Sequence, residues 1–124
     1  WRKLTVVPAD PSTATQLTPT LVARLTRAAR PEVAGLVRRY ELGFPLWDEI
    51  AAAVWLDPGV VTRKETLAVD YNTQFGPGYG DTLSWHAAYA PGLGEQSATV
   101  VEAVDARRME DLIVRLLEAG ARRR

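Results

Sequence analysis

Two adjacent side chains carry most of the chemistry this sequence offers. They are the indole of Trp47 and the carboxylate of Asp48, at the head of the run Gly43-Phe44-Pro45-Leu46-Trp47-Asp48-Glu49-Ile50. A carboxylate can ligate a hard cation, and an indole can stack on a planar ring, although its N–H is too weak an acid to give up a proton in water. Each also has a plain structural role: a first-turn acid facing the positive end of a helix dipole, and an aromatic packed into a core. The remaining candidates are dispersed. His86 is the only histidine and falls on the polar face of an alternating run, where an exposed or hydrogen-bonded strand residue is expected. Glu49 follows Asp48 directly, but successive helical residues point about 100° apart, so it reads as a dipole charge. Asp10, Asp70 and Asp81 lack an acidic partner at motif spacing. No Gly-x-Gly-x-x-Gly, Walker loop, Cys/His zinc spacing or Gly-x-Ser-x-Gly occurs, which removes the usual dinucleotide, nucleotide-phosphate, zinc and hydrolase-elbow readings.

The elements that must hold Trp47 and Asp48 follow from local chemistry. Gly43 and Pro45 break what precedes them, and the alanine-rich run after Leu46 starts a helix that Asp57-Pro58 must close. Leu46, Ile50, Ala53 and Val54 make one apolar stripe, and Trp47, Ala51 and Trp55 a flanking one, so burial is expected most of the way round. Before it, residues 4–7 read as a strand and the Pro-Ser-Thr-rich stretch as a loop. Thr18-Pro19 starts a helix running to Arg30, and Pro31 restarts a second with Val33, Leu36, Val37 and Tyr40 on one face. After the central helix, residues 66–72 alternate as a half-buried strand, and residues 76–81 form a glycine-rich turn. A second run places Leu83, Trp85, Ala87 and Tyr89 on one face, and residues 98–104 make a third strand. These three strands predict an antiparallel or mixed appendage to a main sheet. Asp105 caps a final helix whose Met109, Leu112, Ile113, Leu116 and Leu117 form an apolar stripe.

The string Pro45-Leu46-Trp47-Asp48, followed by an alanine-rich helix and Leu56-Asp57-Pro58, resembles the C-terminal signature of the nucleoside hydrolases. The flanks resemble that family in order: Leu4 to Thr20, with Leu17-Thr18-Pro19 opening a helix; Val61 to Val69, then Gly80-Asp81-Thr82; and Val101 to Leu117. The resemblance implies an α/β fold, the C-terminal portion of a nucleoside hydrolase-like mixed sheet, with short helices, a three-strand segment and a final helix. It implies hydrolysis of the N-glycosidic bond of ribonucleosides to ribose and free base. Asp48 matches a calcium-ligand position. Trp47 stands where one branch of the family has a histidine acid and the purine-preferring branch a tryptophan that stacks on the base, which points to purine ribonucleosides as substrates. The family's opening cluster, Asp-x-Asp-x-x-x-Asp-Asp, has no counterpart in these residues. The resemblance therefore covers less than half of a family member. No catalytic residue is assigned in this chain, and Ca²⁺ is expected only with the missing N-terminal part of the fold as partner.

Composition fits one domain over residues 1–124. At 13.6 kDa the chain can bury roughly two-thirds of the surface its unfolded form exposes. Fifteen basic and fifteen acidic side chains cancel, so nucleic acid is not an expected partner. No apolar run approaches the ~20 residues of a membrane span, and nothing argues for export, so a cytoplasmic protein is expected. The start Trp1-Arg2-Lys3 is neither a signal peptide nor an initiator methionine and looks cut, and Arg122-Arg123-Arg124 reads as a solvated helix end. A sheet edge bared by the missing part invites self-association into a homo-oligomer. The alternative of a different class is a truncated, non-catalytic interaction or oligomerisation module, and a third is a generic globular domain with a chance signature.

Overall fold

The computed structural model describes residues 3–122, so Trp1, Arg2, Arg123 and Arg124 lie outside it. Four strands and five α-helices occur in the order β1 (Thr5–Val6), α1 (Ala9–Thr13), α2 (Pro19–Ala28), α3 (Pro31–Val37), α4 (Trp47–Leu56), β2 (Val61–Tyr71), β3 (Thr82–Trp85), β4 (Gln96–Val104) and α5 (Ala106–Arg122). The strands form one mixed sheet, β1-β4-β2-β3, in which β1 runs parallel to β4 and the other pairs are antiparallel. The three later strands are thus most of the sheet, and β1 is added at the edge of β4.

Several boundaries differ from the sequence expectations for physical reasons. The Pro-Ser-Thr stretch contains a short helix, α1, because Pro11 is tolerated in a first turn and the hydroxyls serve the backbone. Ser12 Oγ donates to Pro8 O at 3.2 Å and Thr13 Oγ1 to Asp10 O at 2.7 Å. α3 stops at Val37, so Tyr40 lies beyond it. β2 begins five residues earlier than its alternation shows, at Val61. Register shifts on either side of Arg63 in the β2–β4 ladder break the period of two across Arg63-Lys64-Glu65. The second alternating run ends at Trp85, and Ala87–Tyr89 turn into a 3₁₀ helix, since alanine has little strand preference.

The core lies between the sheet and the helices. Leu17, Leu21, Leu25, Leu46, Ile50, Ala53 and Met109 form one buried cluster and Val54, Val60 and Val101 a second. Val7, Val104 and Leu112 pack against both. α5 is clamped to its neighbours by charge. Arg24 of α2 pairs with Glu110 at 3.0 Å and with Asp111, and Asp105 caps the helix as expected by accepting Arg108 N–H at 3.0 Å. Arg108 in turn grips both carboxylate oxygens of Asp57, the residue that ends α4, at 3.0–3.2 Å. Gly59 lies against that guanidinium, where a Cβ would fall 2.5 Å from it.

This clasp makes acid stability testable. Hydrogen bonds from Arg108, and then the Gly59 N–H, hold the Asp57 carboxyl below the usual aspartate range. A folded value below the unfolded one means that the contribution is complete above the ordinary aspartate pKa of about 3.9 and is lost as pH falls through the folded value. Arg108→Met is expected to be modestly less stable than wild type at neutral pH, with the difference shrinking below about pH 4. Urea unfolding of both proteins across that range measures it, and a difference independent of pH would exclude the clasp as its source.

Candidate functional site

Trp47 and Asp48 are the first two residues of α4, and the approach to them is built as an antiparallel clip. Leu17 N–H donates to Phe44 O and Gly43 N–H to Leu17 O, both at 2.9 Å, and Leu46 N–H donates to Thr15 O at 3.0 Å. Gln16 and Pro45 sit opposite one another between these bonds. Gly43 turns the chain into the clip at φ +81°, a left-handed conformation that costs glycine little. Buried Leu17 and Leu46 anchor the clip in the core, and Thr15, also buried, satisfies its hydroxyl by donating to Ser12 O at 3.1 Å. The segment it pairs with leaves the C-terminal end of β1 through α1, so the sheet, α1 and the clip together fix the mouth of α4.

At that mouth both candidate side chains face outward. Asp48 is exposed and, among the described residues, makes no hydrogen bond or ion pair. Leu46 at the cap position offers no side-chain acceptor, and Asp48 and Glu49 supply the negative charge of the first turn at the positive end of the helix dipole. Trp47 is 49% exposed and Trp55, on the same stripe, 86%. The expectation of burial most of the way round α4 is therefore corrected: Leu46, Ile50, Ala53 and Val54 face the core, while Trp47, Ala51, Ala52, Trp55 and Leu56 face out. Among the described residues little lies over that outer face.

Among the described residues Trp47 has one aromatic neighbour, which the sequence reading did not single out. Phe44 meets its indole edge to face, with centroids 5.4 Å apart and planes at 61°, and Tyr40 meets Phe44 in the same manner at 6.5 Å. The signal was present as the spacing of Phe44 to Trp47, three residues across a helix start, where a first-turn side chain leans back toward the N-terminus. The pairing of Asp57 with Arg108 was also missed, and 51 residues of separation leave no local signal for it.

The structure separates the other candidates from this pair. His86 is not on a strand but just before the 3₁₀ turn, with Nδ1 3.1 Å from Glu65 Oε1, and both side chains are substantially exposed. Among the described residues no group of three or more His, Cys, Asp or Glu side chains could hold a metal ion. A recess of about 110 Å³ lies between α2, α3 and α4, lined by Leu21, Leu25, Val37, Tyr40, Phe44 and Glu49 among others. It is mostly apolar and smaller than the ~300–1,000 Å³ of typical small-molecule sites. No described helix is long and apolar enough to cross a membrane.

No protein-family model matches the sequence, and no curated protein gives a significant match. Among solved structures, an inosine-guanosine nucleoside hydrolase superposes with a TM-score of 0.68 at 13% identity, covering 87% of this chain. The chain spans 36% of that protein's length. At this identity the likeness speaks for the architecture, and the sheet with its five helices has a nucleoside hydrolase-like fold.

Proposed function

We propose that the chain is the C-terminal portion of a purine nucleoside N-ribohydrolase and carries part of its site. The observation that carries the reading is the pairing of an outward-facing indole with an unpartnered carboxylate at the mouth of α4, within a fold similar to an inosine-guanosine nucleoside hydrolase. Trp47 stacks on the purine, excludes bulk water and raises the basicity of the base, so that the base leaves with a proton taken from another donor than the indole. Asp48 contributes one oxygen ligand to a Ca²⁺ shell. Calcium needs about six to eight such oxygens, so the rest come from a front part bearing the aspartate cluster, in the same polypeptide or in a partner.

The test is ribose release from inosine and guanosine with added calcium. The 124-residue chain alone is expected to give none. The chain expressed together with any coding sequence upstream of Trp1 is expected to give calcium-dependent release that Asp48→Ala abolishes. Turnover by the pure short chain, or none by an extended protein that contains the cluster, overturns the reading. The bare outer face of α4, with Trp55 and Leu56 exposed, favours a second one: a non-catalytic module that uses this face for interaction. An upstream sequence without the aspartate cluster would select it.

A further inference from the structure

We propose that Phe44 is a positioning residue for Trp47, holding the indole at the angle at which it stacks on a base; the second half of that statement rests on the stacking role proposed above. α4 presents two tryptophans on one stripe, and only one is braced. Trp55 is 86% exposed and has no aromatic partner among the described residues, whereas Trp47 has Phe44 edge to face at 5.4 Å. As the first residue of α4, Trp47 has no preceding helical turn to restrict its rotamers, and its side chain leans toward the approach segment. Phe44 is what it meets there.

Phe44 is suited to be a fixed support. Its carbonyl is tied to Leu17 at 2.9 Å, the glycine before it is tied to the same residue, and Leu46 is pinned to Thr15, so the backbone on both sides of the ring is held in register. Tyr40 backs it at 6.5 Å, again edge to face. The chain Tyr40–Phe44–Trp47 therefore runs from the wall of the apolar recess to the exposed indole, and it leaves part of the indole surface open to a ligand. An aromatic pair of this geometry contributes about 0.5–1.5 kcal/mol beyond its buried area, enough to select one indole rotamer over its competitors by roughly two- to tenfold.

The experiment is ¹⁹F NMR of the full 124-residue chain labelled with 5-fluorotryptophan, whose four signals are assigned through Trp47→Phe, Trp55→Phe and Trp85→Phe. Without ligand, Phe44→Leu is expected to move the Trp47 resonance toward the exposed position of Trp55 and to narrow it, while the Trp55 and Trp85 signals stay in place and report an intact fold. Phe44→Tyr should restore the wild-type signal, and Tyr40→Leu should shift it less and in the same direction. A Trp47 resonance unchanged in Phe44→Leu overturns the proposal. Guanosine is then titrated, with calcium, into wild type and Phe44→Leu of the extended protein that bears the aspartate cluster and so supplies the rest of the site. A response at Trp47 weakened at most about two- to tenfold by Phe44→Leu is expected. No response at Trp47 in wild type would sink the stacking role and leave the bracing, already decided by the ligand-free spectra, standing.

Discussion

Replacing Ile50 by alanine is expected to cost about 2–5 kcal/mol of stability, a large part of the roughly 5–15 kcal/mol that holds a domain of this size together. Ile50 is fully buried, lies one turn into α4, and packs with Leu17, Leu21, Leu25, Leu46, Ala53 and Met109. Removing its three outer carbons leaves a cavity ringed by residues from α2, α5 and the clip, none of which can close in without disturbing the others. Thermal unfolding followed by circular dichroism should show a loss on the order of 10 °C. Trp55→Ala is the informative companion, because a large indole that is 86% exposed has little burial to lose and should change stability by less than about 0.5 kcal/mol. If Trp55→Ala proved the more damaging of the two, α4 would have to face the core with its other side. Trp47 and Asp48 would then be buried and the site reading lost with them.

That orientation of α4 is what the sequence could not convey. Helix faces are told apart by polarity, and after Asp48 and Glu49 this helix has none: alanines, valine, isoleucine, leucine and tryptophan occur all round it. Choosing the buried face required knowing where Leu17, Leu21 and Met109 come to rest, and those contacts are distant in sequence. Where a local signal existed it was legible. Thr18 caps α2, accepting Leu21 N–H at 3.1 Å ahead of Pro19, and Asp105 caps α5. Pro58 closes α4, and the alternation of Leu67 and Val69 lies within β2. The irregular ladder at Arg63 hid the first half of β2, because an altered register breaks the very periodicity by which a strand is recognised. The candidate site was legible to the same degree. Trp47 and Asp48 are adjacent and so were visible as a pair, whereas the support from Phe44 depends on the direction in which a first-turn side chain leans, and the Asp57–Arg108 clasp on a tertiary contact.

Met109→Ala should cost about as much as Ile50→Ala, roughly 2–5 kcal/mol, although the five-residue stripe of α5 suggests a load shared along the helix. The structure concentrates it instead. Met109 is the one fully buried residue of α5, while Leu112, Ile113 and Leu117 are partly covered and Leu116 is 46% exposed. The polar ties lie at the same end: Asp105 caps the helix, Arg108 holds Asp57, and Glu110 and Asp111 hold Arg24, whereas the far end has a bond from Arg30 to Gly120 O at 2.7 Å. α5 is thus most deeply buried and most heavily clamped over its first two turns, where the methionine thioether is the apolar pin among charged clamps. Leu116→Ala is expected to cost less than half as much as Met109→Ala in urea unfolding. Amide exchange in wild type should show protection highest around Met109 and falling toward Arg122. Equal costs for the two substitutions, or uniform protection along α5, would mean that the helix is buried along its whole length. With the graded result, the wall behind Ile50, and through it the position of Trp47 and Asp48, depends chiefly on the first two turns of α5.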